Sequence, residues 1–295
     1  MNGPDVSVLT LGMASRSDFM RGAGVMADSQ YLAGQGLRCE VYWGIFELKQ
    51  VPFKGEMVPV SRLAKEGVIG NENSAEAVRL FKTNTRVEEA LESDERRMKI
   101  FQDAFDTFNK ETKDMDLPFP QLDITNKDHQ EIWFSEFFRR MGRNLAVLVN
   151  VGYSHSHLHS SNITMAAEIA DLESVWDLRV ADRGFKDDHN VDEGGISRLI
   201  LKDMRDVAYA CRALMKAGRA AGLSVGNSVE LAQSLRDGFL SQLKPNDFKK
   251  MTVLVRPGVA EYWIDRIMDK AIVRNERLAP LLHGKVSDWG IPNFV

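Results

Sequence analysis

Two long amphipathic stretches in the middle of the chain decide most of what it can become. In residues 87–112 (VEEALESDERRMKIFQDAFDTFNKET), Leu91, Met98, Phe101, Phe105 and Phe108 recur at helical spacing. In residues 129–153, Trp133, Phe137, Met141, Leu145 and Leu148 do the same. Each stretch predicts a long helix with one apolar face, and the aromatic stripe of the second reads as core. The charged run at 92–97 (ESDERR) reads as a solvated helix face. The stretch 116–128 between them holds two prolines and predicts a loop.

The flanks differ in character. Residues 1–70 are rich in glycine and in short apolar runs such as VSVLTLG, which predicts strands and turns with one helix. Beyond residue 195, ISRLILKDMRDVAYACRALMKAGRAAG predicts a helix stopping at Gly222, and two more helical stretches follow, NSVELAQSLRDGFLSQL and GVAEYWIDRIMDKAIV. Mixed structure followed by helix predicts an α+β chain. Its small mixed N-lobe would span residues 1–90 and its larger helical lobe residues 91–295, with a cleft between them.

Composition narrows the function classes. At 44% apolar and 27% charged residues the chain is wrong for disorder. Two cysteines, Cys39 and Cys211, exclude a disulfide scaffold and fit a reducing compartment. A net charge of -4 argues against a dedicated nucleic-acid binder. No segment approaches the roughly 18 to 20 apolar residues of a membrane span. The first apolar run is broken by Thr10 and Gly12 and no basic residue precedes it, unlike a signal peptide. The expectation is a cytoplasmic protein with neither membrane nor nucleic acid as partner.

The densest chemical signal is HSHLHSSN, residues 155–162, with Asp171 downstream. Asn162 lies seven positions after His155, and Asp171 nine after Asn162. Residues 163–169 alternate like a strand or tight hairpin. An amide oxygen and a carboxylate brought together by a hairpin supply hard ligands to Mg²⁺, which bridges phosphates. Glu173 supplements that metal or caps a turn. A different reading keeps the three histidines on one strand face as zinc or iron ligands, supplemented by Asp187, Asp188, His189 and Asp192.

This segment resembles the catalytic loop of protein-kinase-like folds. Aminoglycoside-phosphotransferase-like enzymes carry a related loop, His-Gly-Asp-Leu-His ending in Asn. The nearer resemblance is to the selenoprotein O family, kinase-like proteins that transfer AMP to proteins. Residues 144–175 follow that family's layout: a helix ending in Gly152-Tyr153-Ser154-His155, then the same spacings to Asn162 and Asp171. Arg21-Gly22-Ala23-Gly24 resembles the family's Lys-Gly-Ala-Gly, whose Lys contacts ATP phosphate. Glu40 falls near the family's helix Glu, the partner of that Lys. Arg79 and Arg86, seven apart, resemble its two phosphate-binding arginines. Lys49 and Lys54 are rivals for the phosphate-contacting lysine.

The resemblance covers roughly residues 20 to 180 and implies a cleft holding ATP with Mg²⁺ or Mn²⁺. Asn162 and Asp171 would sit on the metal, and Arg21, Gly22, Gly24, Glu40, Arg79 and Arg86 at the nucleotide. AMP would pass to a hydroxyl of a protein or peptide. The chain also departs from the family: Arg21 replaces the Lys, Ser161 stands at the family's proposed base, and His157 at the ordinary kinase base. Imidazole is an alternative base. A small-molecule phosphotransferase and a non-catalytic, pseudokinase-type binding subunit remain the rival expectations.

Overall fold

The computed structural model describes residues 8–14, 16–68, 75–178, 193–244 and 264–273. Within these ranges side chains are described from residue 24 onward, except at 75–77 and 193–198. The chain is α+β. Strand β1 (Val8–Ala14) leads into helix α1 (Arg16–Gly34), followed by β2 (Val41–Glu47), β3 (Gln50–Phe53), β4 (Glu56–Pro59), the short α2 (Val60–Lys65) and β5 (Ala75–Phe81). Strand β5 is the centre of an antiparallel sheet ordered β1–β5–β2, with Arg79 opposite both Thr10 and Tyr42. Hairpin β3–β4 and α2 close a small apolar cluster of their own, Val51, Val58, Val60 and Leu63.

Helices dominate the remainder: α3 (Val87–Glu92), α4 (Arg97–Asp114), α5 (Lys127–Val151), α6 (Glu193–Ala220) and α7 (Ser228–Gln242). The single helix expected over 87–112 is therefore two. Ser93 is extended at the end of α3 (φ -92°, ψ 96°). Arg97 then folds back, its Nε donating to Ala90 O (2.8 Å) and its Nη2 to Leu91 O (2.9 Å). These bonds satisfy carbonyls that the break would leave orphaned.

Helix α5 matches its pattern and is capped at both ends. The Asn126 side chain accepts from the backbone N–H of Asp128 at 2.9 Å. Gly152 closes the other end in the left-handed conformation (φ 75°, ψ 38°), which only glycine adopts cheaply. That turn throws the chain into β6 (Tyr153–Ser154), which pairs with β7 (Trp176–Asp177), and so fixes where the histidine-rich loop begins. The helix expected to stop at Gly222 ends at Ala220, with Gly222 again left-handed (φ 76°). Of the last helical stretch only residues 264–273 are described, and they are helical.

The core fills the space between α4 and α5. Trp133 stacks on Phe105 (centroids 5.3 Å apart) and meets Phe101 and Phe134 edge-on. Burying each such ring contributes about 1.5–3 kcal/mol. An ion network crosses this core's margin: Arg38 and Arg140 both bind Glu111, and Arg140 also reaches Glu136 (3.3 Å). Asn144 accepts from the backbone N–H of Arg38 (3.1 Å) and donates to Ala167 O (2.9 Å). These bonds fasten the segment after α1, and the loop at 164–168, to the side of α5.

Helices α5 and α7 cross with their backbones in contact. A Cβ at Gly142 would stand 2.0 Å from Leu235 O, and one at Gly238 2.1 Å from Arg139 O. Gly238→Ala therefore forces the helices apart, although alanine is the better helix former. Overpacking of this kind is expected to cost about 2–3 kcal/mol, read as a lower urea midpoint. A midpoint equal to or above that of the unaltered chain would refute the contact.

Candidate functional site

A buried carboxylate on α6 organises the start of the histidine-rich loop. Asp203, 3% exposed, accepts from Ser154 Oγ (2.7 Å), the His155 N–H (2.9 Å) and the Ser156 N–H (2.7 Å). Burial pushes its carboxyl up to about 7, while these three donors favour the carboxylate. Pinned this way, the loop buries His155, Ser156 and Leu158. His155 and Leu158 turn inward and are fully buried; His157 and His159 face solvent.

His155 is a structural hydrogen bonder. Its Nε2 lies 2.8 Å from Ala170 O, which requires a proton on Nε2, and among the described residues its buried Nδ1 has no hydrogen-bond partner. Burial drives the imidazole down to about 4, so it stays neutral. The three histidines consequently share no face. Strand β6 ends at Ser154, and among the described residues no group of three or more His, Cys, Asp or Glu is placed to hold a metal. The histidine-metal reading is thereby corrected as far as residues 155–159 are concerned; Asp187, Asp188, His189 and Asp192 lie outside the described residues.

The hairpin sets the backbone of Asn162 opposite Ala170, next to Asp171. Residues 163–169 form the expected tight hairpin, with Ile163 bridging Ile169 and Thr164 N–H donating to Glu168 O (2.9 Å). At the hairpin's open end the N–H of Ala170 donates to Asn162 O at 2.9 Å. Asn162 Nδ2 donates to His157 O (2.9 Å), which leaves the amide oxygen as the atom the side chain can offer. Asp171 is left-handed (φ 63°, ψ 48°), a conformation uncommon for a residue other than glycine. Burial, then hydrogen bonding to Asp171, raise the neighbouring Glu173 carboxyl, while Tyr42 Oη donates to Glu173 at 2.8 Å. The Asp171 and Glu173 carboxyls are thus within hydrogen-bond reach of each other, and carboxylates are the hard donors a divalent cation takes.

Glu40 holds this turn from the sheet side. Its Oε1 accepts the Leu172 N–H (2.8 Å) and its Oε2 pairs with Arg79 Nη1 (3.1 Å). Burial raises the Glu40 carboxyl, opposed by Arg79 and the backbone donors. The expected helix position of Glu40 is a correction. The residue precedes β2, and the partner the structure gives it is Arg79. Arg79 is thus engaged with Glu40 and lies 6.0 Å from the Tyr42 ring centroid.

Arg86 is different. Its guanidinium lies over the Phe81 ring (4.8 Å), and among the described residues its buried Nη1 has no hydrogen-bond partner. Burial lowers its pKa, Arg79 adding in that direction and Glu40 opposing. A half-buried cation with an unmet donor attracts an anion.

The remaining expected residues fall elsewhere or stand alone. Arg21, Gly22 and Gly24 lie within α1 and not in a glycine-rich loop; the Arg21 side chain lies outside the described residues. A Cβ at Gly24 would meet nothing, so no close approach requires glycine there. Lys49 pairs with Glu47 (2.6 Å), and Lys54 lies over Phe53. Ser161 Oγ sits 2.5 Å from His159 Nδ1, and Ser156 Oγ 2.9 Å from His157 Nδ1. Sequence reasoning missed Asp203, Tyr42 and Glu168. Asp203 had a legible signal: an acid among Ile200, Met204 and Val207 on the apolar face of a helix.

No protein-family model matches the chain, and no curated protein matches it.

The buried neutral His155 sets a pH dependence. Below pH about 6.5 the unfolded chain binds a proton that the folded chain refuses until about 4, so acidification through that window removes stability. The shift corresponds to about 3 kcal/mol. Asp203, raised to about 7, acts oppositely across an overlapping range, so a comparison with His155→Gln isolates the histidine. Urea titrations from pH 7 to 4 are expected to show a steeper loss in the unaltered chain than in His155→Gln. Parallel curves would mean that His155 is not buried neutral.

Proposed function

We propose that the chain has a two-lobed, kinase-like arrangement, binds ATP with Mg²⁺ or Mn²⁺, and transfers AMP to a hydroxyl of a protein or peptide. The observation that carries this reading is the 163–169 hairpin, whose open end sets Asn162 opposite Ala170 and so next to Asp171. Further support comes from the unmet cation of Arg86 and from the bond of Glu40 to Leu172, which ties the sheet to that hairpin.

Asn162, Asp171 and Glu173 would hold the metal, which when bound neutralises triphosphate charge. Arg86 would meet a phosphate directly. Arg79 would act mainly through Glu40 as a positioning residue. In the transfer, the acceptor hydroxyl oxygen bonds to the α-phosphorus. The bond from that phosphorus to the bridging oxygen breaks, and pyrophosphate leaves with the electron pair. The hydroxyl proton passes to His157 Nε2, which is open to it when Nδ1–H donates to Ser156 Oγ.

One observation favours a second reading. Neither base position carries a carboxylate, since His157 and Ser161 occupy them. A nucleotide-binding subunit without turnover fits that absence, and binding of ATP with no adduct on any acceptor would select it. ATP turnover stimulated by a panel of small metabolites, with no modification of protein, would select the small-molecule phosphotransferase.

Thermal shift and calorimetric titration with ATP and Mg²⁺ test the binding. Asp171→Ala is expected to abolish the metal dependence of binding. Arg86→Ala is expected to weaken ATP by about tenfold to a hundredfold, the worth of a hydrogen bond to a charged group. Equal binding by both variants would overturn the site.

A further inference from the structure

Helix α6 carries a line of cations on its outer side. Lys202, Arg205, Tyr209, Arg212, Lys216 and Arg219 follow one another at alternating steps of three and four, which keeps them on one helix face. The opposite face is spent on packing: Ile200, Met204, Val207, Cys211 and Leu214 are buried. Lys216 and Arg219 are exposed, Tyr209 is 38% exposed, and Lys202, Arg205 and Arg212 are half-buried. Of the acids in this stretch, Asp203 is buried against the histidine-rich loop, and Asp206 pairs with Lys202 (2.8 Å) and Arg205 (3.2 Å). From Val207 to Val229 the sequence holds three cations and no Asp or Glu. In a chain of net charge -4 this is a local excess of positive charge. Burial, and after it the charge of Arg212, lowers the Lys216 pKa, so these two cations oppose one another.

The shape of this charge selects its partner. The line is about 26 Å long, at 1.5 Å per helical residue, and one residue wide. A membrane or a nucleic-acid duplex presents a broad anionic face, which the acidic remainder of the chain would repel. A single nucleic-acid strand takes successive aromatic platforms for its bases, and Tyr209 is the one aromatic on the line. An extended peptide rises about 3.3 Å per residue, so about eight residues span the line. Carboxylates along such a peptide would meet the cations that the chain's own acids leave in excess.

We propose that the outer face of α6 docks an extended acidic segment of a partner protein. This surface needs neither nucleotide nor metal, so it stands or falls apart from the reading given under Proposed function. It does share an element with that site: the same helix holds Ser154, His155 and Ser156 through Asp203 and packs against Ser160–Asn162.

Anisotropy titration of the full chain against a fluorescein-labelled peptide of eight glutamates, with no nucleotide present, tests it. The expected result is saturable binding that weakens as salt is raised. Lys216→Glu with Arg219→Glu is expected to weaken it by about tenfold or more, the sum of two lost attractions and two new repulsions. The neutral pair, Lys216→Gln with Arg219→Gln, is expected to give an intermediate loss and keeps the test valid should the reversed pair fold poorly. Lys65→Glu with Lys113→Glu, exposed positions on α2 and α4, makes the same change of net charge and is expected to leave binding within about threefold. Absence of binding, or equal weakening by the α6 pair and the control pair, overturns the inference. Tighter binding of octathymidylate than of the peptide overturns it as well, and assigns the line to single-stranded nucleic acid.

Discussion

One carboxylate, Asp203, carries more of this molecule than any other single group. It stands on α6, distant in sequence from the loop it serves, and takes three donors from three consecutive residues. A loop rich in serine and histidine has many ways to hydrogen-bond locally, and each competes with the others. Three bonds to one buried acceptor leave a single arrangement. From it follow the inward His155, the outward His157 and the direction in which the chain enters Asn162. Without Asp203 the two amides of residues 155 and 156 would be buried donors with nothing to accept them.

The second constraint runs through Glu40 and Glu168, two buried acids that bond to backbone amides across elements. Glu40 precedes β2 and holds Leu172; Glu168 sits in the hairpin and holds Lys82. They face in opposite directions across the same junction, so the sheet side grips the hairpin and the hairpin grips the strap. Buried acids are costly in general, and each is offset here by amide donors and a nearby arginine, Arg79 for Glu40 and Arg38 for Glu168. Such an arrangement contributes little to net stability but admits one relative placement of the parts it joins.

Much of the architecture was legible in the sequence because helical periodicity is a local signal. The stripe from Trp133 to Leu148, the stops at Gly152 and Gly222, and the hairpin at Ile163–Ile169 all follow from residues near one another. The break at Ser93 was not legible, because it depends on Arg97 reaching back to carbonyls that exist only once α3 has ended. The turn that returns the chain from Asn162 to Ala170 was readable from the alternation of residues 163–169. The exchange of partners between Glu40 and Arg79 was not, since it needs the register of β2 on β5. Arg21, Gly22 and Gly24 show the reverse failure: a short glycine motif suggests a loop by composition, while the chain around it has enough helix-forming residues to absorb it into α1.

The close approach of Gly142 to Leu235 O and of Gly238 to Arg139 O bears on more than packing density. Most helix pairs meet through a layer of side chains whose rotamers let one helix slip past the other. Here bare backbone meets bare backbone, with no such lubricant. Helices α5 and α7 are therefore held at one close spacing, and the loop that leaves α5 at Gly152 starts from that axis. The hairpin at 163–169 is fastened to the same axis, since Asn144 on α5 donates to Ala167 O, so its placement follows from how closely two helices can be seated.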